Sequence, residues 1–142
     1  MWLSRKPVNP SAQTGAVTTK RRGDAAEDAA LDHLQRQGLR LVQRNFKTPG
    51  RGGGEVDLIM RERDGTLVFV EVRQRASASH GGAGGSVTAV KQRRIVFAAR
   101  HFLMRLGSEP PCRFDVVLIQ GGPDDRIAPE WLRGAFDAPA TF

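Results

Sequence analysis

Between about Arg22 and Gln37 apolar residues return at every fourth position: Ala26, Ala30 and Leu34, with Leu31 adjoining them. That spacing predicts an amphipathic helix, and Gly38 is its natural stop. Leu39 to Lys47 reads as a strand, with Leu39, Leu41 and Val42 apolar. Two runs rich in Val, Ile, Leu and Phe follow, Glu55 to Met60 and Leu67 to Arg73, on either side of Arg63-Asp64-Gly65. They predict a β-hairpin. Ser86 is a candidate N-cap for a second helix that runs to about Leu106 and stops at Gly107. Its apolar stripe is Val87, Ile95, Ala98 or Ala99, Phe102 and Leu106. Arg113 to Gln120 contains Val116, Val117, Leu118 and Ile119 in succession, a strand buried on both faces. Ile127, Trp131, Leu132 and Phe136 can dock a short closing segment on the core. The order is therefore α-β-β-β-α-β. Short links let the first three strands run antiparallel, and the second helix is a crossover that can set the last strand parallel to a neighbour. This is an α/β architecture, one mixed β-sheet flanked by helices. Residues 1–19 lack an apolar period and read as a flexible arm, 20–136 as the folded domain and 137–142 as a tail.

Within the hairpin, the placement of charge constrains the register. A three-residue loop at Arg63-Asp64-Gly65, closed by Gly in the left-handed conformation, pairs Met60 with Val68, Leu58 with Val70 and Val56 with Val72. One face is then wholly apolar. A two-residue turn would slip the pairing by one and mix the faces. The favoured register sets Asp57 opposite Glu71 and Glu55 opposite Arg73. Directly opposed Cβ atoms lie roughly 4.5–5.5 Å apart, close enough for two carboxylates to repel unless a positive charge intervenes. A divalent cation, which prefers hard oxygen ligands, is one candidate, and Arg73 another.

The chain has 142 residues, enough for one domain with a real core. Its 22 Lys plus Arg against 15 Asp plus Glu give a net charge of +7, which favours a polyanionic partner, nucleic acid first. A single cysteine, Cys112, excludes a disulfide framework. One Cys and three scattered His argue against zinc. No apolar run is long enough to cross a membrane, and the basic N-terminus lacks the apolar core of a signal peptide. The expectation is a cytoplasmic protein without a small-molecule cofactor, with a homodimer left open.

Outside the hairpin, Glu27 falls at the edge of the first helix's apolar stripe. It is either a dipole-stabilised carboxylate near the helix N-terminus or a group pointing inward to a metal or base. Lys91 interrupts the stripe of the second helix, where it can snorkel to water or reach the carboxylates. Asp115 is expected to partner a neighbouring Arg. The glycines of Thr48 to Gly54 allow close approach of another backbone. The low-complexity stretch Ala76 to Gly85, with His80, can form a mobile flap. Arg22, Arg51, Arg75 and Arg94 are the candidates for nucleic-acid phosphates.

Several blocks together resemble a known family. Gly23 and Glu27, Arg44-Asn45-Phe46, Gly54-Glu55-Val56-Asp57-Leu58-Ile59, Val68-Phe69-Val70-Glu71-Val72-Arg73, Lys91 with Arg94-Ile95, Arg113 to Val117 and Trp131 to Phe136 match the YraN family of small bacterial proteins. That family resembles the restriction-endonuclease-like, PD-(D/E)xK nucleases and Holliday-junction resolvases. The resemblance implies a restriction-endonuclease-like core and hydrolysis of a DNA phosphodiester, with branched DNA among the substrates. It implies Mg²⁺ or Mn²⁺ held by Glu27, Asp57 and Glu71, and catalytic roles for Asp57, Glu71, Arg73 and Lys91. The sequence departs from the signature at Arg73, where the superfamily has Lys. Arginine stays protonated and cannot be a general base, though it can hold a phosphate. The alternative is therefore a nucleic-acid-binding module on a nuclease fold, with catalysis lost.

Overall fold

The structure, a computed structural model, describes residues 19–75, 87–120 and 128–139. In chain order the elements are α1 (Thr19–Arg36), β1 (Arg40–Lys47), β2 (Glu55–Arg61), β3 (Leu67–Arg75), α2 (Ala89–Leu106), β4 (Cys112–Gln120) and β5 (Ala128–Phe136). The strands form one five-stranded sheet in the order β1-β2-β3-β4-β5. β3 and β4 are parallel, joined by the α2 crossover, and every other pair of neighbours is antiparallel. α1 buries Ala26, Ala30 and Leu34 on one sheet face, against Leu58, Met60, Val68 and Val70. α2 buries Ile95, Ala98, Ala99 and Phe102 on the other, against Ile59, Phe69, Phe114 and Val116. β4 is buried from Phe114 to Ile119 because helices cover both faces. The α/β fold is that expected: a mixed sheet with helices on each side, consistent with a restriction-endonuclease-like core. Among the described residues no helix is long and apolar enough to cross a membrane.

The punctuation residues behave as their chemistry dictates. Gly38 and Gly107 end the helices at φ +102° and +76°. In the hairpin turn Gly65 has φ +95°, Glu62 N–H donates to Thr66 O at 2.9 Å, and Asp64 Oδ1 accepts from Thr66 N–H at 2.9 Å. The expected pairs Met60–Val68 and Leu58–Val70 are present.

Four expectations need correction. The closing segment is a full edge strand, β5, paired antiparallel to β4; an edge position tolerates its Pro129. The N-cap of α2 is Thr88, not Ser86: its side chain accepts from Lys91 N–H at 3.1 Å. Leu106 is exposed rather than part of the apolar stripe. Finally, strict alternation fails in β1 and β2. Arg44 pairs with Leu58 and Phe46 with Val56, and between them Asn45 has φ +51°. Asn is among the side chains that best tolerate this left-handed conformation. Across the kink the faces exchange. Leu58 packs on the α1 side, whereas Phe46 and Val56 pack on the α2 side.

Candidate active site

The kink lies where the β2–β3 ladder ends. Pairing runs from Arg61–Leu67 to Leu58–Val70. The expected Val56–Val72 pair is replaced by a side-chain contact: Val72 N–H donates to Asp57 Oδ2 at 2.8 Å. Val56, turned toward α2, no longer faces Val72. The Glu55–Arg73 opposition is replaced as well, since Glu55 pairs with Arg94 Nη2 at 2.8 Å.

Asp57 and Glu71 still meet. Their carboxyl groups hydrogen-bond to each other, so between them they hold a proton. Glu71 is 7% exposed. Burial first, and the Asp57 charge second, push its carboxyl from the ordinary 4.5 up to about 8. Lys91 and Arg73 oppose that rise. Asp57 is also raised, chiefly by burial, against the pull of the Val72 amide.

Each helix contributes one charged group. From α2, Lys91 Nζ lies 3.7 Å from Glu71 Oε2. Of the two readings of Lys91, it is the contact with the carboxylates that forms. From α1, Glu27 is half-buried, and its acid is raised by burial and then by Asp57, against Arg44 and Asn45. α1 begins at Thr19, so Glu27 lies beyond the first turn that the helix dipole stabilises, and the inward-pointing reading fits better. Glu27 Oε1 is buried and has no hydrogen-bond partner among the described residues. Arg44 Nη2 stands 3.5 Å from it.

The other candidates are spread around this centre. Arg73 is half-buried in β3, within electrostatic reach of Glu71. Arg51 is exposed in the β1–β2 loop, which Thr48 closes: its backbone N–H donates to Gly54 O at 3.0 Å, and its Oγ1 accepts from Gly54 N–H at 2.7 Å. Arg94, expected to face phosphate, is tied to Glu55 and bonds Gly53 O at 3.4 Å through Nε. A Cβ on Gly54 would stand 2.2 Å from Arg94 O, so this glycine does admit another backbone. The side chains of Arg22 and Arg75, and the stretch holding His80, lie outside the described residues. Asp115 is structural, as expected: fully buried, it takes two hydrogen bonds from Arg113 and others from Trp131 Nε1 and Gly134 N–H. Sequence reasoning assigned no role to Arg44 or Asp28. Strand alternation would have set Arg44 on the face of Phe46, and only the Asn45 kink turns it toward α1.

As placed, no three His, Cys, Asp or Glu side chains among the described residues are close enough to hold a metal ion. The donor chemistry nonetheless fits a hard divalent cation: carboxylate oxygens only, two of them closed on each other by a proton, and a third group with an orphaned buried oxygen.

A three-layer α/β domain with a proton-sharing carboxylate pair at the end of a β-ladder, flanked by a lysine and a third carboxylate, defines the class. The chain belongs to the uncharacterised protein family UPF0102, whose model matches residues 26–119. It is similar to the UPF0102 protein of Polaromonas naphthalenivorans (strain CJ2), 60% identical over 97% of this chain and 99% of that one. The UPF0102 protein of Acidovorax sp. (strain JS42) is 64% identical, again over 97% of this chain and 99% of that one. The crystal structure of SSO0001 shares 17% identity at a TM-score of 0.38, covering 85% of this chain and 55% of that one, too low a likeness to carry weight.

Proposed function

We infer that this protein is a metal-dependent nuclease that hydrolyses phosphodiester bonds of DNA, with branched or structured DNA among the candidate substrates. The observation that carries the reading is the buried Asp57–Glu71 pair with Lys91 Nζ at 3.7 Å. Two carboxylates and a lysine drawn out of water around one point are costly for stability alone and suited to chemistry.

Asp57 and Glu71, with Glu27, would hold Mg²⁺ or Mn²⁺. When bound, such an ion lowers the pKa of water to yield a nucleophile and neutralises the leaving oxygen. The chain's own groups supply the rest. The Val72 amide fixes one oxygen of Asp57. Releasing the shared proton frees Glu71 as a ligand. Lys91 supplies the amine that the signature places where Arg73 stands. Arg73, always protonated, suits a phosphate oxygen and the charge that builds on it.

The test is cleavage of labelled single strand, duplex, flap and four-way junction in Mg²⁺, Mn²⁺ or EDTA, with Glu71→Ala beside the wild type. Cleavage that needs metal and disappears in the variant is expected. Arg73 in the lysine position favours one other reading, a binding module without turnover. That reading predicts salt-sensitive binding and intact substrate under every condition.

A further inference from the structure

Glu27 and Asp28 are consecutive on α1, and Arg44 of β1 reaches both. It does not treat them alike. Arg44 Nη2 hydrogen-bonds Asp28 Oδ1 at 2.8 Å, whereas its contact with Glu27 Oε1 is a longer ion pair of 3.5 Å without a hydrogen bond. The partner taken is the exposed one: the side chain of Asp28 is 66% exposed and that of Glu27 13%. Burial alone argues for the opposite choice, because a buried carboxylate gains more from a hydrogen-bonded cation than an exposed one. The choice has a visible cost. Glu27 Oε1 and Arg44 Nε are both buried and without a partner among the described residues. The longer ion pair leaves an acceptor and a donor on neighbouring side chains without hydrogen bonds, while an exposed aspartate holds the guanidinium.

We propose that Asp28 is a positioning residue which, by holding the Arg44 guanidinium, keeps an oxygen of Glu27 open for the divalent cation of the candidate site. This rests on the metal-dependent reading above and adds the device that keeps its third carboxylate available. Asp28 itself touches neither cation nor substrate. Without it, Arg44 closes its longer ion pair with Glu27 into a hydrogen-bonded one. The resulting pair is charge-assisted and half-buried, and it competes directly with the ion. The kink at Asn45 is what makes the device workable, since it sets Arg44 on the α1 side of the sheet.

The experiment is titration calorimetry of Mn²⁺ into the full chain, as wild type, Asp28→Ala, Arg44→Met and the double variant. Asp28→Ala is expected to weaken Mn²⁺ binding by about tenfold, the scale of one hydrogen bond to a charged group. In the Arg44→Met background the same change should leave affinity unaltered, because nothing remains to swing onto Glu27. A loss of equal size in both backgrounds would mean that Asp28 acts by its charge at a distance, and the proposal falls. Unchanged affinity in Asp28→Ala overturns it as well, with the metal site intact. A wild-type chain that binds no Mn²⁺ overturns the metal-dependent reading itself, and the role of Asp28 with it.

Discussion

The proton shared by Asp57 and Glu71 ties stability to pH in a definite direction. Glu71 titrates at the ordinary 4.5 when unfolded and at about 8 when folded. Between those values the native state keeps a proton that the unfolded chain has released. The stability that Glu71 contributes is therefore fully present below about pH 4.5 and is lost as pH rises through about 8. Asp57 is shifted in the same direction and acts in the same sense. Urea denaturation in EDTA should show the protein less stable at about pH 8.5 than at about pH 5.5, by on the order of a few kcal/mol. Glu71→Gln, neutral at both, should flatten most of that slope and be more stable than wild type at the higher pH. A wild-type slope that the variant retains would place the titrating group elsewhere. Lys91→Met removes the cation facing Glu71 and should move the window to higher pH.

At the scale of elements, the parts legible in the sequence were those governed by local rules. Period-four spacing gave α1, Gly65 gave the turn, and four consecutive apolar residues gave a strand covered on both sides. The Asp57–Glu71 meeting was legible too, though for a partly mistaken reason. Alternation predicted direct opposition, whereas the strands part after Leu58–Val70 and Asp57 accepts the Val72 amide instead. What alternation cannot foresee is a residue at positive φ. Asn45 turns Arg44 and Phe46 to opposite faces although they are two positions apart, and so brings Arg44 to Glu27. β5 was hidden because Pro129 and Gly134 interrupt any strand pattern, which only its place at the sheet edge permits. The cap of α2 was misplaced by two residues, because Ser86 carries the same kind of hydroxyl as Thr88, which receives the Lys91 amide. These assignments carry tests by thermal or urea denaturation. Asn45→Val should destabilise by about 1–3 kcal/mol, the cost of a β-branched residue held in the left-handed region, and Asn45→Gly should cost much less. Gly54→Ala, whose added carbon would meet the backbone of α2 at Arg94 and Ala98, should cost roughly 3 kcal/mol. An Asn45→Val protein as stable as Asn45→Gly would remove the kink from the argument.

The whole molecule poses an electrostatic problem that bears on its partner. A net charge of +7 draws a polyanion toward the surface. The candidate site presents Glu27, Asp57 and Glu71, which repel one. With the shared proton in place this repulsion is reduced, and above the range in which Glu71 ionises it grows. A backbone phosphate and three carboxylates can approach one another only when a positive charge lies between them, and Lys91 with Arg73 supplies only part of it. Oligonucleotide affinity should therefore depend on a divalent cation as well as on monovalent salt. Fluorescence anisotropy with Ca²⁺, against EDTA, should show the wild-type protein binding more tightly with the ion, by about tenfold or more, a difference of ~1.4 kcal/mol or more. In both conditions affinity should fall as salt rises, because lysine and arginine contacts release counterions from the nucleic acid. An Asp57→Asn/Glu71→Gln protein has lost the repulsion and the cation's ligands together. It should bind equally well with and without Ca²⁺, and more tightly in EDTA than the wild type. Wild-type affinity that ignores the ion would leave the basic surface as the whole basis of binding, and would separate the carboxylates from any role toward nucleic acid.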